Sequence, residues 1–172
     1  MTTQQQIDQA VSPELYKNIM GQFPTGVTVI TAYNDLGDVV GFTASAFSAL
    51  SMDPALVLVC PSYTSDSYPV IRDTQKFAIH ILADDQQGVA YQFAKKGIDK
   101  SEGLNIKQSK HGVPVIEGAL AVLECTLWND YPGGDHAILV GQVVNAELAN
   151  TEQTHPLLYC RSKMSSLPNM NE

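Results

Sequence analysis

The stretch Gly41-Phe42-Thr43-Ala44-Ser45-Ala46-Phe47-Ser48-Ala49-Leu50-Ser51-Met52-Asp53-Pro54 concentrates small and hydroxyl-bearing side chains directly after a strand-like segment. Small side chains let a planar ligand approach the backbone closely. Exposed backbone N–H groups and Ser or Thr hydroxyls can then bind carbonyl oxygens, ring nitrogens or phosphate without formal positive charge. The other use of such residues is a connection packed tightly between strands. His136, preceded by Gly134 and Asp135, is the sharpest single side chain. It reads either as a hairpin histidine bonded to Asp135 or as a ligand contact. His80 reads as a strand residue facing a packed helix, and His111 and His155 as loop histidines. Lys95, Lys96 and Lys100 cluster in an otherwise acidic chain, as a solvated face or as an attractor for phosphates.

Other chemistries lack their residues. No G-x-G-x-x-G follows a strand, and there is no G-x-x-x-x-G-K-[ST], so a nicotinamide or nucleotide is not held by those devices. No G-x-S-x-G elbow and no H-E-x-x-H occur. Cys60, Cys125 and Cys160 are far apart, form no C-x-x-C, and sit in apolar stretches; they read as buried, reduced thiols. A zinc site needs clustered ligands, and no metal is expected.

The elements that must position these residues are mostly strands. Val27 to Tyr33 alternates β-branched and polar residues, a turn follows at Asn34 to Asp38, and Val39 to Thr43 returns. Ala55 to Cys60 is a continuous apolar run, and Phe77 to Leu82 is another. Ala119 to Trp128 and His136 to Leu148 form a long hairpin around Tyr131-Pro132-Gly133-Gly134, and Pro156 to Cys160 reads as the last strand. Ser12 with Pro13 and Glu14 starts a short helix carrying Leu15, Tyr16, Ile19 and Met20. A second helix, capped by Asp84 or Asp85, carries Val89, Ala90, Phe93 and Ala94 and stops near Gly97. Residues 97–114 read as a long loop. The pattern predicts a mainly β fold with inserted helices, an antiparallel Greek-key-like barrel.

The 172 residues suit one domain, 1–172, with 1–11 a loose N-terminal tail and 163–172 a C-terminal tail. A net charge of −8 argues against binding nucleic acid or anionic lipid through a basic surface. No apolar run approaches the ~20 residues of a membrane helix, so no membrane partner is expected. Residues 1–20 lack a cationic end followed by an apolar stretch, so a cytoplasmic protein is expected.

Several segments carry a resemblance in order: Phe23 to Thr31, Gly41 to Pro54, Leu56 to Cys60, Phe77 to Leu82, Gln92-Phe93-Ala94, Ala119 to Cys125, Gly134-Asp135-His136, Val140 to Val143, and Pro156 to Tyr159. Over about residues 20–162 the chain resembles the flavin reductase-like family, the short NAD(P)H:flavin reductases of two-component monooxygenases. It departs from the family's pattern at Ser62, where Asn is frequent, and at Ser101 and Met164, where an aromatic is frequent.

The resemblance implies an FMN-binding split barrel, a homodimer, FMN or FAD as flavin and NADH or NADPH as donor. It implies a flavin-dependent monooxygenase as recipient of diffusible reduced flavin. Thr43, Ala44, Ser45 and Ala46 would lie along the isoalloxazine, chiefly through backbone groups. Ser48 and Ser51 would hold the flavin tail, and Ser62 and Ser65 belong to a second contacting loop. Gly134, Asp135 and His136 would bring the histidine beside the nicotinamide, with Tyr159 and Arg161 near the same pocket. Two alternatives stay open from the residues themselves: a flavin- or heme-binding module without turnover, and an interaction barrel with no flavin.

Overall fold

A computed structural model describes residues 11–149 and 155–167. Three helices and twelve strands follow in chain order: α1 (Pro13–Met20), β1 (Thr25–Gly26), β2 (Thr28–Tyr33), β3 (Val39–Ala44), β4 (Phe47–Met52), β5 (Ala55–Val59), α2 (Ser67–Thr74), β6 (Lys76–Ile81), α3 (Gln87–Ala94), β7 (Ile106–Gln108), β8 (Pro114–Ile116), β9 (Ala121–Gly133), β10 (His136–Leu148), β11 (Leu157–Cys160) and β12 (Lys163–Ser166).

The main sheet is antiparallel and runs β3-β2-β6-β9-β10-β5-β4. Its two edge strands, β3 and β4, are consecutive in sequence and joined only by Ser45 and Ala46. Two intervening residues leave three Cα–Cα steps, roughly 10 Å at most. The sheet must therefore curl until its edges nearly meet, yet β3 and β4 form no ladder with each other. The result is a barrel split along one seam, in agreement with the mainly β expectation.

The long hairpin β9–β10 turns at Gly134 and Asp135, where Gly134 takes φ +78°, a conformation that suits glycine. Register shifts between Val140 and Gly141, leaving Trp128 as the extra residue of a bulge. Ile30, Ala32, Val57, Val59, Phe77, Ile79 and Leu139 fill the barrel interior with Ile71 of α2. The opposite face of β2 carries Val29 against Phe93 of α3, Ile116 of β8 and Leu157 of β11. β2 is thus buried on both sides, although its sequence alternates as a half-buried strand does.

Several expectations change. Residues 97–114 are not one loop: β7 and β8 pair as a small hairpin, held by Ser109 Oγ donating to buried Glu124 at 2.7 Å and Thr31 Oγ1 donating to the Pro114 carbonyl at 2.7 Å. His80 faces β8 rather than a helix. Its Nδ1–H donates to the Val29 carbonyl at 3.0 Å, and its Nε2 accepts from Ile116 N at 3.0 Å. Neither Asp84 nor Asp85 caps α3; Gln86 precedes it, accepting from Ala83 N and donating to the Glu117 carbonyl. Helix α2 was not anticipated, because Ser65 to Asp73 has the composition of a turn and only Ile71 is deeply buried among its apolar residues. The expected tail 163–172 begins with β12, which pairs with β11 in a second sheet, β1-β11-β12. Ser12 does cap α1, its Oγ accepting from Leu15 N at 3.2 Å. The expected tail 1–11 lies, except for Val11, outside the described residues.

Candidate active site

A cavity of about 450 Å³ opens beside the seam. Its volume falls within the range of small-molecule sites. One wall is β3 with Ser45 and Ala46 after it; a second is the segment around Ser62 to Ser67; a third is the end of α3 with the residues through Lys100; His136 completes it.

The β3 wall exists because Gly41 lets α3 close on the strand. A Cβ at position 41 would lie 2.3 Å from the Ile30 carbonyl oxygen and 2.7 Å from Phe93 Cε1. Thr43 Oγ1 ties the same two elements by donating to the Ala90 carbonyl at 2.6 Å. Its hydroxyl is therefore engaged by the protein, and what β3 offers a ligand is backbone. As an edge strand paired only with β2, it keeps a row of N–H and C=O groups free of ladder bonds.

The second wall is a turn rich in hydroxyls. Ser62 bridges to His136, Tyr63 N donates to the Asp135 carbonyl at 3.1 Å, and Ala137 N donates to the Pro61 carbonyl at 2.9 Å. The loop is thereby stitched to the start of β10. Ser62 Oγ and Thr64 Oγ1 are 3.0 Å apart, and Ser65 Oγ accepts from Ser67 N at the start of α2.

Lys96 Nζ reaches across from the third wall and donates to the Thr64 carbonyl at 3.0 Å and Thr64 Oγ1 at 3.2 Å. Lys100 instead caps α3, donating to the carbonyls of Gln92, Phe93 and Lys95. Partial burial there lowers its pKa.

His136 Nδ1 lies 2.7 Å from Asp135 Oδ1. The hydrogen bond and the charge of the ring hold the Asp135 carboxyl below its usual range. The bond places the proton on Nδ1 and leaves Nε2 as the other ring nitrogen. The hairpin reading and the cavity reading of His136 therefore hold together in one geometry. Burial raises the pKa of Cys60, which also lines the cavity, so its sulfur is a thiol and not a nucleophilic thiolate.

Of the residues singled out from sequence, the cavity brings together Thr43, Ala44, Ser45, Ala46, Ser62, Ser65 and His136, as well as the three lysines. Ser48 and Ser51 lie on β4 beyond the seam, and Gly134 and Asp135 form the turn before His136. Tyr159 and Arg161 belong to the second sheet and its turn. Tyr159 stands opposite Thr25, and Arg161 Nε donates to Gln22 Oε1 at 2.8 Å. None of these six lines the cavity. Thr64, Asp66 and Ser67 do line it and were not singled out; their signal was the near-unbroken run of hydroxyls from Ser62 to Ser67.

The lining can do three things: present an edge of backbone donors and acceptors, supply neutral hydroxyls, and place positive charge at one end. That donor set fits a flat polar ring with an anionic tail. Among the described residues no group of His, Cys, Asp and Glu could hold a metal ion.

Residues 20–168 match the family model described as a flavin reductase like domain. The chain is 36% identical over 159 residues to the reductase subunit HsaB of a flavin-dependent monooxygenase from Rhodococcus jostii, covering 92% of this chain and 80% of that protein. It is 37% identical over 152 residues to a flavin reductase from Pseudomonas putida, covering 88% of each. Its fold matches the NADH:FAD oxidoreductase SgcE6 of Streptomyces globisporus, solved with NAD and FAD fragments, at a TM-score of 0.86 and 28% identity, covering 95% of this chain and 99% of that one.

Proposed function

The chain belongs to the flavin reductase-like family, and we propose that the cavity beside the seam is where it receives its flavin. It is an NAD(P)H:flavin oxidoreductase that supplies reduced flavin to a partner monooxygenase. The observation that carries the site assignment is the meeting of the free edge of β3, Thr43 to Ala46, with the hydroxyl turn and His136 around one slot.

When bound, the flavin supplies the electronic chemistry of accepting a hydride from the nicotinamide, so the protein needs no nucleophile of its own. The chain's contribution is geometry. The backbone of β3 holds the polar edge of the ring, and the small side chains of Ala44, Ser45 and Ala46 allow a close approach. Hydride transfer needs the reacting atoms roughly 3–3.5 Å apart. His136, fixed by Asp135, positions the nicotinamide against the ring. Gly134 makes the turn that presents this pair. Ser48 and Ser51, across the seam, are assigned to the flavin tail, and Ser62 and Ser65 to the facing loop. Tyr159 and Arg161 are assigned to the nicotinamide side on the family resemblance alone.

We infer a homodimer as well. Helix α1 buries none of its residues, and Leu15, Tyr16, Ile19 and Met20 stand exposed on it with Phe23 just beyond. A second copy of the chain is the partner assigned to that face. Cytoplasmic residence is inferred from three free cysteines in a chain with no disulfide. No helix among the described residues is long and apolar enough to cross a membrane.

The test follows nicotinamide absorbance with NADH or NADPH and with FMN, FAD or riboflavin in turn. Consumption that depends on added flavin is expected. Folded protein that consumes neither nucleotide with any flavin would replace this reading with a binding module lacking turnover.

A further inference from the structure

Lys96 is the one lysine of the lining whose ammonium is bonded across the cavity mouth; Lys95 beside it has no side-chain bond among those described, and Lys100 turns back onto its own helix. The Lys96 ammonium crosses the mouth from the segment after α3 and is held by two neutral oxygens, both on Thr64. No carboxylate pairs with it among the described residues, where the ion pairs are Arg72–Asp73 and Asp135–His136. Lys100 is committed to the carbonyls that end α3. Asp66, the only acidic residue of the lining, acts on Lys100. Lys96 is therefore a cation at the mouth with no described carboxylate in ion-pair contact.

A lysine ammonium is a compact charge on a flexible stem and exchanges partners easily. An ammonium meets a carbonyl or hydroxyl oxygen as charge to dipole but a phosphate as charge to charge, which is the stronger attraction at the same distance. Leaving Thr64 for a phosphate is downhill on that count. Leaving it for a ribityl hydroxyl, another neutral oxygen, gains nothing. We propose that Lys96 is the residue that makes this reductase prefer phosphorylated flavin over riboflavin, by releasing Thr64 and binding the phosphate of the incoming flavin. The proposal rests on the flavin site assigned above and adds to it a role for a residue that none of the resembling motifs includes.

The experiment compares Lys96→Met, Lys96→Arg and Lys110→Met with the unaltered protein. Lys110 is exposed, lies outside the cavity, and controls for the change in net charge. Flavin dissociation constants are read by fluorescence titration and KM values by nicotinamide consumption, each for FMN and riboflavin at low and high salt. Lys96→Met should raise both constants for FMN by roughly tenfold and leave riboflavin within about twofold. Lys96→Arg should recover most of the loss, and Lys110→Met should change neither flavin. The salt sensitivity of FMN binding should fall in Lys96→Met alone. Equal changes for FMN and riboflavin in Lys96→Met, or no change for either, would overturn the role of Lys96 while leaving the flavin site intact. Unaltered protein that binds and reduces no flavin would overturn the site itself and the proposal with it.

Discussion

Phe93 and Gly41 are in contact so close that position 41 has no room for a side chain: a Cβ there would meet the Phe93 ring at 2.7 Å and the Ile30 carbonyl at 2.3 Å. This contact presses α3 onto β3 and makes both a wall of the same cavity. Gly41→Ala should push the helix outward. A loss of about 1–3 kcal/mol is the usual cost of overpacking a filled site. Thermal unfolding should register it, and flavin titration should show weaker binding. A variant with unchanged midpoint and affinity would mean that the helix yields without moving the wall.

His136 and Asp135 should separate binding from turnover. His136→Ala is expected to lower kcat/KM for the nicotinamide by roughly ten- to a hundredfold, the scale of a misplaced reactant. Its flavin dissociation constant should stay within about twofold, since β3 and the hydroxyl turn remain. Asp135→Asn keeps a hydrogen-bond acceptor beside Nδ1 and should fall between. Steady-state kinetics beside fluorescence titration reads both effects. An unaltered rate in His136→Ala removes its positioning role.

His80 gives the fold an acid limit. Full burial lowers its pKa from 6.5 to about 4, outweighing the Val29 carbonyl at Nδ1, which favours the charged ring. Protonation would set a second N–H against Ile116 N. The unfolded chain takes up a proton below about pH 6.5 and the folded chain does not until about 4. Stability is therefore fully present above pH 6.5 and falls through that window, by about 1.4 kcal/mol per unit once well below 6.5. Denaturant unfolding at several pH values should show the slope. His80→Gln should be less stable at neutral pH but flatter between pH 6.5 and 4.

The face of α1 should report the oligomer. Ile19→Asp places a charge among Leu15, Tyr16 and Met20, all exposed in the single chain. In a monomer such a surface change is worth within about 0.5 kcal/mol. In a dimer joined at this face it should shift the sedimentation coefficient to that of one chain. A mass of one chain for the unaltered protein at micromolar concentration would remove the dimer.

Much of the barrel was legible from pattern. β2, β3, β5, β6 and β10 fall within a residue or two of their expected limits, because β-branched and apolar side chains repeat there with the period of a strand. β4 was not, because Ser48, Ala49, Leu50 and Met52 are exposed and carry no period. β7, β8 and β12 are three or four residues each, too short to show one. α2 is held by Ile71 in the barrel interior, a burial that its own turn-like composition does not announce. The site was legible in part for a related reason. Thr43 to Ala46 and His136 stand out as residue types, whereas Thr64 matters only because Lys96 comes to it from 32 positions away.

The sequence alone determined the strand periods, a turn that includes Gly134 although β9 runs on to Gly133, and the placement of small residues after β3. Those follow from local sterics and from which side chains are present. The tertiary structure decided which of them share a cavity. Segments 39–46, 60–67 and 93–100 and His136 meet only once the sheet curls and its two edge strands are drawn together by Ser45 and Ala46. It also decided that His80 would be bonded on both sides, since its partners Val29 and Ile116 lie 51 and 36 residues away. Side-chain identity acts over a turn or a strand, but closure of the barrel is a property of the whole ladder, and only closure brings those distances to zero.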